Sequence, residues 1–125
     1  MAHCSKKPLP EQARTVASHT CGFFPYHAGR FDIVYSNLAQ TREHLAQTPS
    51  AYLRRFYYDT IVHHPTALQF LATMVGSDHL LLGTDYPFPV ADSDPLHLYG
   101  QAGFAAADIA AMAGDNACAL FRLGG

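Results

Sequence analysis

The clearest periodic pattern of apolar residues lies in the middle of the chain and predicts a helix over residues 66–75. Its apolar positions follow one another at helical spacing and are Leu68, Leu71, Ala72 and Val75. Pro65 suits the first turn of this helix, and Gly76 suits the position just past its end. The continuous apolar run at 80–83 is typical of a strand that is covered on both faces.

Weaker patterns predict two earlier strands and complete an alternating order of elements. Residues 55–60 are rich in aromatic β-formers, and residues 14–18 are consistent with a short strand of low apolar content. Residues 36–47 are predicted to form a helix that ends before Pro49. The order strand, helix, strand, helix, strand, helix indicates an α/β fold whose strands are parallel and adjacent.

The remaining segments carry signals of their own. Glycine, proline and aromatic residues over 20–31 predict a loop. Residues 103–123 predict two short helices, the second of them capped by Asp115. Its inward face is expected to consist of Ala117, Leu120 and Phe121. The polar segment 1–13 contains two prolines and is interpreted as a tail or linker before a domain over 14–123.

The composition indicates a globular protein and argues against several kinds of partner. With 125 residues, 49% of them hydrophobic and 14% charged, the chain is expected to form one globular unit at most. A net charge of −2 and no long basic run argue against nucleic acid or an anionic membrane as partner. No apolar stretch is long enough to span a bilayer. Three widely spaced cysteines predict reduced thiols and a cytoplasmic location.

Each predicted strand is followed by a group that can bind a metal or move a proton. His19 follows the first strand, Asp59 and then His63 follow the second, and Asp85 follows the third. Because the carboxyl ends of parallel strands meet at one edge of a sheet, these side chains are expected to lie close together. A carboxylate with several imidazoles is a common ligand set for a divalent metal.

Each of these residues also has an ordinary structural interpretation. An aspartate after a strand often starts a turn or caps the next helix, which is the alternative for Asp59 and Asp85. His63 and His64 stand before a proline and can be plain loop histidines. The occurrence of such residues after three consecutive strands favours a site over three unrelated turns.

Several segments together resemble the C-terminal part of the amidohydrolase-related family, in particular its aminocarboxymuconate-semialdehyde decarboxylase branch. They are HTCGFFPYHAGR at 19–30, YYDT at 57–60, LGTDYPFP at 82–89 and GDNA at 114–117. The resemblance covers roughly residues 14–123. It implies that the chain is the C-terminal portion of a metal-dependent TIM (β/α)8 barrel, about three β/α units that hold strands six to eight.

The resemblance also implies a role for individual residues. Asp85 matches the metal-binding aspartate after the eighth strand, and His19 matches a catalytic histidine after the sixth, which acts on metal-bound water. Arg30 stands where the family binds a substrate carboxylate, in some members across a dimer interface; the alternative is a solvated surface arginine. Phe88 matches a residue that lines the substrate pocket. Asp59 and His63 remain weaker candidates.

The implied activity is decarboxylation or hydrolysis of a small carboxylated substrate, with a divalent metal, zinc being the first expectation. Two departures from the family pattern bear on this. Thr20, Cys21 and Gly22 replace a run of glycines. The family's His-x-His after the first strand and its metal-binding histidine after the fifth have no counterpart in the chain. The alternative is therefore a non-catalytic α/β module, or one half of a split barrel whose partner is the missing N-terminal half.

Overall fold

The computed structural model describes residues 15–123, and its centre is a parallel sheet of three strands. The strands are β1 (Val16–Ala17), β2 (Tyr57–Asp59) and β3 (Leu80–Leu81), and they lie side by side in chain order. The predicted α/β arrangement with adjacent parallel strands is confirmed. Each strand is shorter than predicted, and the interpretation of residues 1–13 lies outside the described residues.

The two faces of the sheet bury different side chains, as a period of two requires. Tyr58 and Leu80 face one hydrophobic cluster, which includes buried residues of the helix that follows β2. Tyr57 and Leu81 belong to a second cluster, together with Leu120. The expectation that the strand at 80–83 is covered on both faces therefore holds for the part that pairs, Leu80–Leu81.

The helix predicted over 66–75 is observed as α2 (Pro65–Val75). Its buried residues are Leu68, Leu71 and Val75. His64 caps its N-terminus, since Nδ1 accepts a hydrogen bond from the Thr66 backbone N–H at 3.2 Å. Gly76 follows the last turn with φ of 89°, a conformation that glycine adopts at little cost.

The loop predicted over 20–31 is wrong, because a helix, α1 (Phe24–Asn37), occupies most of it. Pro25 lies in the first turn, where a proline is tolerated, and is buried together with Ala28. Aromatic contacts hold the helix to its neighbours: the ring of Phe24 lies 6.3 Å from the ring of Phe56. Tertiary packing thus overrides the loop signals of glycine and the modest helix propensity of aromatic residues.

The helix predicted over 36–47 is also wrong. After α1 the chain forms only a 3₁₀ turn, Ala39–Arg42. Leu38 separates the two with an extended backbone, φ −116° and ψ 105°, and its side chain is 52% exposed. Thr41 Oγ1 donates to the Leu38 carbonyl at 2.7 Å, so a local side-chain bond replaces a helical one. No apolar face of this segment is buried deeply enough to hold a regular helix.

The C-terminal third contains one helix more than predicted. Helix α3 (Pro95–Gln101) begins after Asp94, whose Oδ1 accepts from the His97 N–H at 3.2 Å. Helices α4 (Ala106–Ala110) and α5 (Asn116–Phe121) follow, joined by the π-helical turn Ala111–Asp115.

The last helix begins at Asn116, directly after Asp115 as predicted, but the predicted cap is wrong, since Asp115 makes no capping bond and has a helical backbone inside this continuous segment. Leu120 is buried as predicted, but Phe121 is 53% exposed.

Three further 3₁₀ segments complete the described chain: Ser18–Cys21, Pro49–Arg55 and Ser77–His79. The second of them occupies Arg55, which shortens the strand that was predicted to begin there. Within residues 15–123, no helix combines the length and the apolar character that crossing a membrane requires.

Candidate functional site

The carboxyl ends of the three strands gather His19, Asp59 and Asp85 at one edge of the sheet. The His19 backbone N–H donates to Asp59 Oδ2 at 2.6 Å, which joins the ends of β1 and β2. The His19 imidazole Nε2 lies 3.6 Å from Asp85 Oδ1 in the loop after β3. This distance is an ion-pair contact and is too long for a good hydrogen bond. The three strand ends are therefore linked through His19, by its backbone to Asp59 and by its side chain to Asp85.

The Asp85 carboxylate is the more sheltered member of this contact. Its side chain is 18% exposed, whereas the His19 side chain is 65% exposed. The sheltered carboxylate provides a fixed negative charge, and the exposed imidazole can reach solvent or a small molecule. The pair therefore combines a sheltered carboxylate with an exposed imidazole, the kind of side chain that most often transfers protons near neutral pH.

Asp59 has the structural function that was the alternative interpretation of its position in the sequence, and it makes one further bond, to His19. It is only 9% exposed, and its Oδ1 accepts from the Ile61 backbone N–H at 3.2 Å while Oδ2 accepts from His19. Buried carboxylates are stabilised by such bonds. Asp59 therefore orders the turn after its own strand and fixes the backbone of His19.

The loops that carry the candidate residues adopt an uncommon backbone conformation. His19, His63 and Asp85 have φ of 49°, 52° and 63°. Non-glycine residues adopt positive φ at a cost, although aspartate and histidine do so more readily than most. The left-handed backbone thus sets the direction in which each of these side chains leaves the chain.

Ser18 contributes a contact that sequence reasoning missed. Its Oγ lies 3.1 Å from His19 Nδ1, on the side of the imidazole opposite the atom that faces Asp85. A partner at one ring nitrogen selects the tautomer and so determines what the other nitrogen does. When the Ser18 hydroxyl donates to Nδ1, Nε2 carries the ring proton and faces the Asp85 carboxylate; in the other tautomer two acceptors, Nε2 and Asp85 Oδ1, would face each other. A hydroxyl directly before a strand-end histidine was the available signal.

Gly83 permits β2 and β3 to approach each other closely beneath the edge. A Cβ atom at this position would lie 2.9 Å from Ile61 Cγ1 and 3.1 Å from Asp59 Cβ. Contacts this short force a shift of the neighbouring atoms. Gly83 thus matters for the spacing between Asp59 and the loop that carries Asp85.

The structure places the two predicted substrate-binding residues on exposed surfaces. Phe88 is 61% exposed, and its backbone N–H donates to the Asp85 carbonyl at 3.0 Å, so it belongs to the same turn as the aspartate. Arg30 lies exposed on α1, and none of the ion pairs found among residues 15–123 includes it.

The described residues do not by themselves form a metal site. Among residues 15–123, no group of three or more histidine, cysteine, aspartate or glutamate side chains is arranged to hold a metal ion. His63 is exposed and does not join His19 and Asp85 in such a group. Asp85 and His19, as one carboxylate and one imidazole, fit a divalent cation in chemistry, but two such side chains are fewer than the four ligands that a zinc site commonly has.

Proteins that resemble the chain include decarboxylases. The 2-amino-3-carboxymuconate-6-semialdehyde decarboxylase of Dictyostelium discoideum is 34% identical over 83 residues, which is 62% of this chain and 22% of that protein. The structure of 5-carboxyvanillate decarboxylase from Sphingomonas paucimobilis superposes with a TM-score of 0.73 at 28% identity, over 86% of this chain and 33% of that one.

A third relative shows likeness of fold alone. It is the dihydroxybenzoic acid decarboxylase of a Polaromonas species, a structure with bound manganese, which has a TM-score of 0.71 at 22% identity. It covers 86% of this chain and 33% of its own. The chain thus spans about a fifth of the curated relative and about a third of the solved structures it matches.

The sequence profile of the amidohydrolase family matches residues 9–123, nearly the whole chain. The resemblance inferred from the strand-end motifs is thereby confirmed, and the named relatives agree with its decarboxylase branch. The chain belongs to the amidohydrolase family.

Proposed function

We propose that this chain forms the part of a decarboxylase that contains strands six to eight of a (β/α)8 barrel, and that it acts on a small carboxylated, aromatic substrate. The observation that carries the proposal is the contact between His19 Nε2 and Asp85 Oδ1, 3.6 Å apart at the carboxyl edge of the sheet. In barrels of this class the active site lies at that edge. The decarboxylase relatives support the reaction type.

Asp85 is the proposed ligand of a divalent metal, and His19 lies close enough to contribute. When bound, such an ion would supply positive charge that holds the substrate and polarises its oxygen atoms. Zinc is our first proposal for its identity, and manganese, which one structural neighbour contains, is the second. Carboxylate and imidazole donors accept both ions.

The chain's own residues account for the proton that the reaction needs. Decarboxylation breaks the carbon–carbon bond to the carboxylate, leaves the electron pair on the substrate carbon and releases carbon dioxide. A proton must then be delivered to that carbon. His19 suits this step because its imidazole is 65% exposed and its Nδ1 is oriented by Ser18.

Two further residues are proposed to bind the substrate. The exposed guanidinium of Arg30 can form a two-pronged contact with a carboxylate, from the same subunit or from a second copy in a homodimer. Phe88, 61% exposed in the turn after Asp85, offers an apolar surface for an aromatic ring.

A second candidate function follows from the ligand count. Since residues 15–123 provide no cluster of three metal-binding side chains, the chain is alternatively one half of a split barrel, or a non-catalytic α/β module. In the first case a polypeptide with the remaining strands completes the site. We place either form in the cytoplasm, where Cys118, a free thiol, would stay reduced.

Titration of the 125-residue chain with Mn²⁺, with the free ion followed by electron paramagnetic resonance, tests the proposed function. We expect weak binding by the parent, because two ligands do not complete a site. Asp85→Asn should weaken it at least about tenfold, since asparagine keeps the shape and the turn but not the charge. Asp78→Asn, which removes an equal charge before β3 at the other end of the strand, should leave Mn²⁺ affinity unchanged.

His19→Gln should differ in kind from Asp85→Asn. In a preparation that releases carbon dioxide from a hydroxylated benzoate, it should lower Mn²⁺ affinity less than Asp85→Asn does and abolish turnover, because the glutamine amide oxygen can still face the ion but glutamine cannot carry the proton. Equal Mn²⁺ affinity in Asp85→Asn and the parent would contradict the metal role of Asp85. A parent chain that binds no Mn²⁺ would favour the second candidate function.

A further inference from the structure

A pair of buried hydroxyl groups lies directly beneath the candidate site. Thr60 follows β2 and is 1% exposed, and Tyr99 of α3 is fully buried at 0%. Their side-chain oxygens, Thr60 Oγ1 and Tyr99 Oη, are 2.7 Å apart, a good hydrogen-bond distance between hydroxyls. Neither hydroxyl is needed to form a regular element, so the pair requires its own explanation.

The pair connects the strand ends that carry the two carboxylates. The Gly83 backbone N–H donates to Thr60 Oγ1 at 3.4 Å, and Gly83 stands two residues before Asp85. Thr60 itself stands directly after Asp59. The last backbone pairing between β2 and β3 joins Asp59 to Leu81. Beyond that point, the Thr60 hydroxyl continues the connection with a side-chain bond.

The backbone directly after β3 also forms a hydrogen bond with a different part of the chain. The Leu82 N–H donates to the Met112 carbonyl at 2.9 Å, in the π-helical turn that follows α4. The segment between Leu81 and Asp85 is therefore fixed from two directions: by Met112 at Leu82 and by Thr60 at Gly83.

We propose that the Thr60–Tyr99 hydroxyl pair is a positioning device that fixes the distance between Asp59 and Asp85 and thereby keeps Asp85 next to His19. This inference rests on the proposed function of the same site. Asp59 holds the His19 backbone, and the Asp85 loop follows Gly83, so the pair controls both partners of the 3.6 Å contact. Since Tyr99 belongs to α3, this helix supports the carboxyl edge of the sheet.

The electrostatics of Tyr99 agree with this position. Burial is the main reason that the pKa of the Tyr99 phenol is raised, and the negative charges of Asp92 and Asp59 raise it further, while its hydrogen bond with Thr60 lowers it. The phenol therefore remains protonated at neutral pH and keeps its hydrogen bond with Thr60.

The test measures Mn²⁺ affinity of the full chain together with its urea midpoint. Thr60→Val keeps the shape of the side chain and removes the hydroxyl, Tyr99→Phe removes the partner hydroxyl, and Thr60→Ser keeps the hydroxyl. Tyr58→Phe is the matched control. It deletes another buried tyrosine hydroxyl, one that donates to the Leu53 carbonyl at 2.8 Å rather than to the strand ends.

We expect Thr60→Val and Tyr99→Phe each to weaken Mn²⁺ binding about tenfold, the usual effect of losing a residue that orients a ligand. Thr60→Ser should restore the parent affinity. Tyr58→Phe should lower the urea midpoint as the other two variants do and leave Mn²⁺ affinity unchanged. If Thr60→Val does not fold, Tyr99→Phe and Thr60→Ser decide the question.

Asp85→Asn in the same titration separates this inference from the proposed function. If Asp85→Asn weakens Mn²⁺ binding while Thr60→Val and Tyr99→Phe behave like Tyr58→Phe, the positioning role is overturned and the metal site stands. If Asp85→Asn has no effect, or if the parent binds no Mn²⁺, both proposals fall.

Discussion

Asn116 is the residue whose replacement gives the sharpest test of how β3 is anchored. Its Nδ2 donates to the carbonyls of Ser77 and Leu80, both at 2.8 Å, and the residue is 4% exposed. Asn116→Ala removes both bonds and leaves the buried Leu80 carbonyl without this donor. One lost hydrogen bond costs about 1 kcal/mol, and an unsatisfied buried group costs about 1–3 kcal/mol. We therefore expect a loss of about 2–4 kcal/mol in unfolding free energy.

Asn37→Ala is the matched control, because Asn37 Nδ2 also donates at 2.8 Å, to the Ile33 carbonyl, but on the exposed surface of α1. It should change stability by less than about 0.5 kcal/mol. Urea unfolding followed by circular dichroism measures both. With a denaturant slope of roughly 2 kcal/mol per molar, Asn116→Ala should lower the midpoint by about 1–2 M. Equal midpoints for the two variants would refute the reasoning that burial, rather than bond length, sets the cost.

Two further predictions concern packing and pH. Gly83→Ala should destabilise the fold by about 1–3 kcal/mol and lower the melting temperature, because its Cβ would lie 2.9 Å from Ile61 Cγ1. Gly29→Ala, where a Cβ would meet nothing within 4 Å, should stabilise the fold by about 0.5–1 kcal/mol and raise the melting temperature. Shifts of the same sign would contradict this. Burial raises the pKa of Tyr57 and of Tyr99 above 10.0, and the charge of Asp78 adds to the effect at Tyr57. The stability that the neutral phenols contribute is fully present below pH 10.0 and is lost as the pH rises through the folded values, so the urea midpoint should fall at alkaline pH. Tyr99→Phe should make the urea midpoint fall less steeply with rising pH. An unchanged pH dependence in this variant would contradict the contribution of the Tyr99 phenol.

The sequence predicts those elements in which local signals and tertiary packing agree. Helix α2 combines an apolar face, Pro65 at its start and Gly76 after its end, and it forms where predicted. The aromatic and apolar strands β2 and β3 also form, because the same side chains that favour a strand are buried on both faces of the sheet. The parallel order follows from the alternation of elements.

Helix α1 could not be predicted, because its stability comes from contacts with distant residues. Gly22, Pro25 and the aromatic residues around them are loop signals within a short window. In the folded chain Asp32 Oδ1 accepts from the Ser50 N–H at 2.9 Å, and the ring of Phe24 meets Phe56. These partners are between 18 and 32 residues away along the chain. No local pattern encodes them.

The residues of the candidate site also include some that the sequence predicts and some that it does not. His19, Asp59 and Asp85 were found because each stands at or after the end of a strand, and parallel strands bring such positions to one edge. Ser18 and the Thr60–Tyr99 pair were missed because a hydroxyl residue has no periodic signature. Their relevance depends on which atoms approach within hydrogen-bond distance, and this is decided by the packing of α3 and the close approach at Gly83.

Backbone conformation adds a reason to regard this edge as a site and not only as a set of turns. Within residues 15–123, four non-glycine residues have positive φ, and three of them, His19, His63 and Asp85, stand in the loops after β1, β2 and β3. Glycine would adopt these conformations with less strain. Turn geometry therefore explains the path of the backbone but not the presence of two imidazoles and a carboxylate on it. Residues held in costly conformations concentrate at functional sites, where the direction of a side chain matters more than the strain.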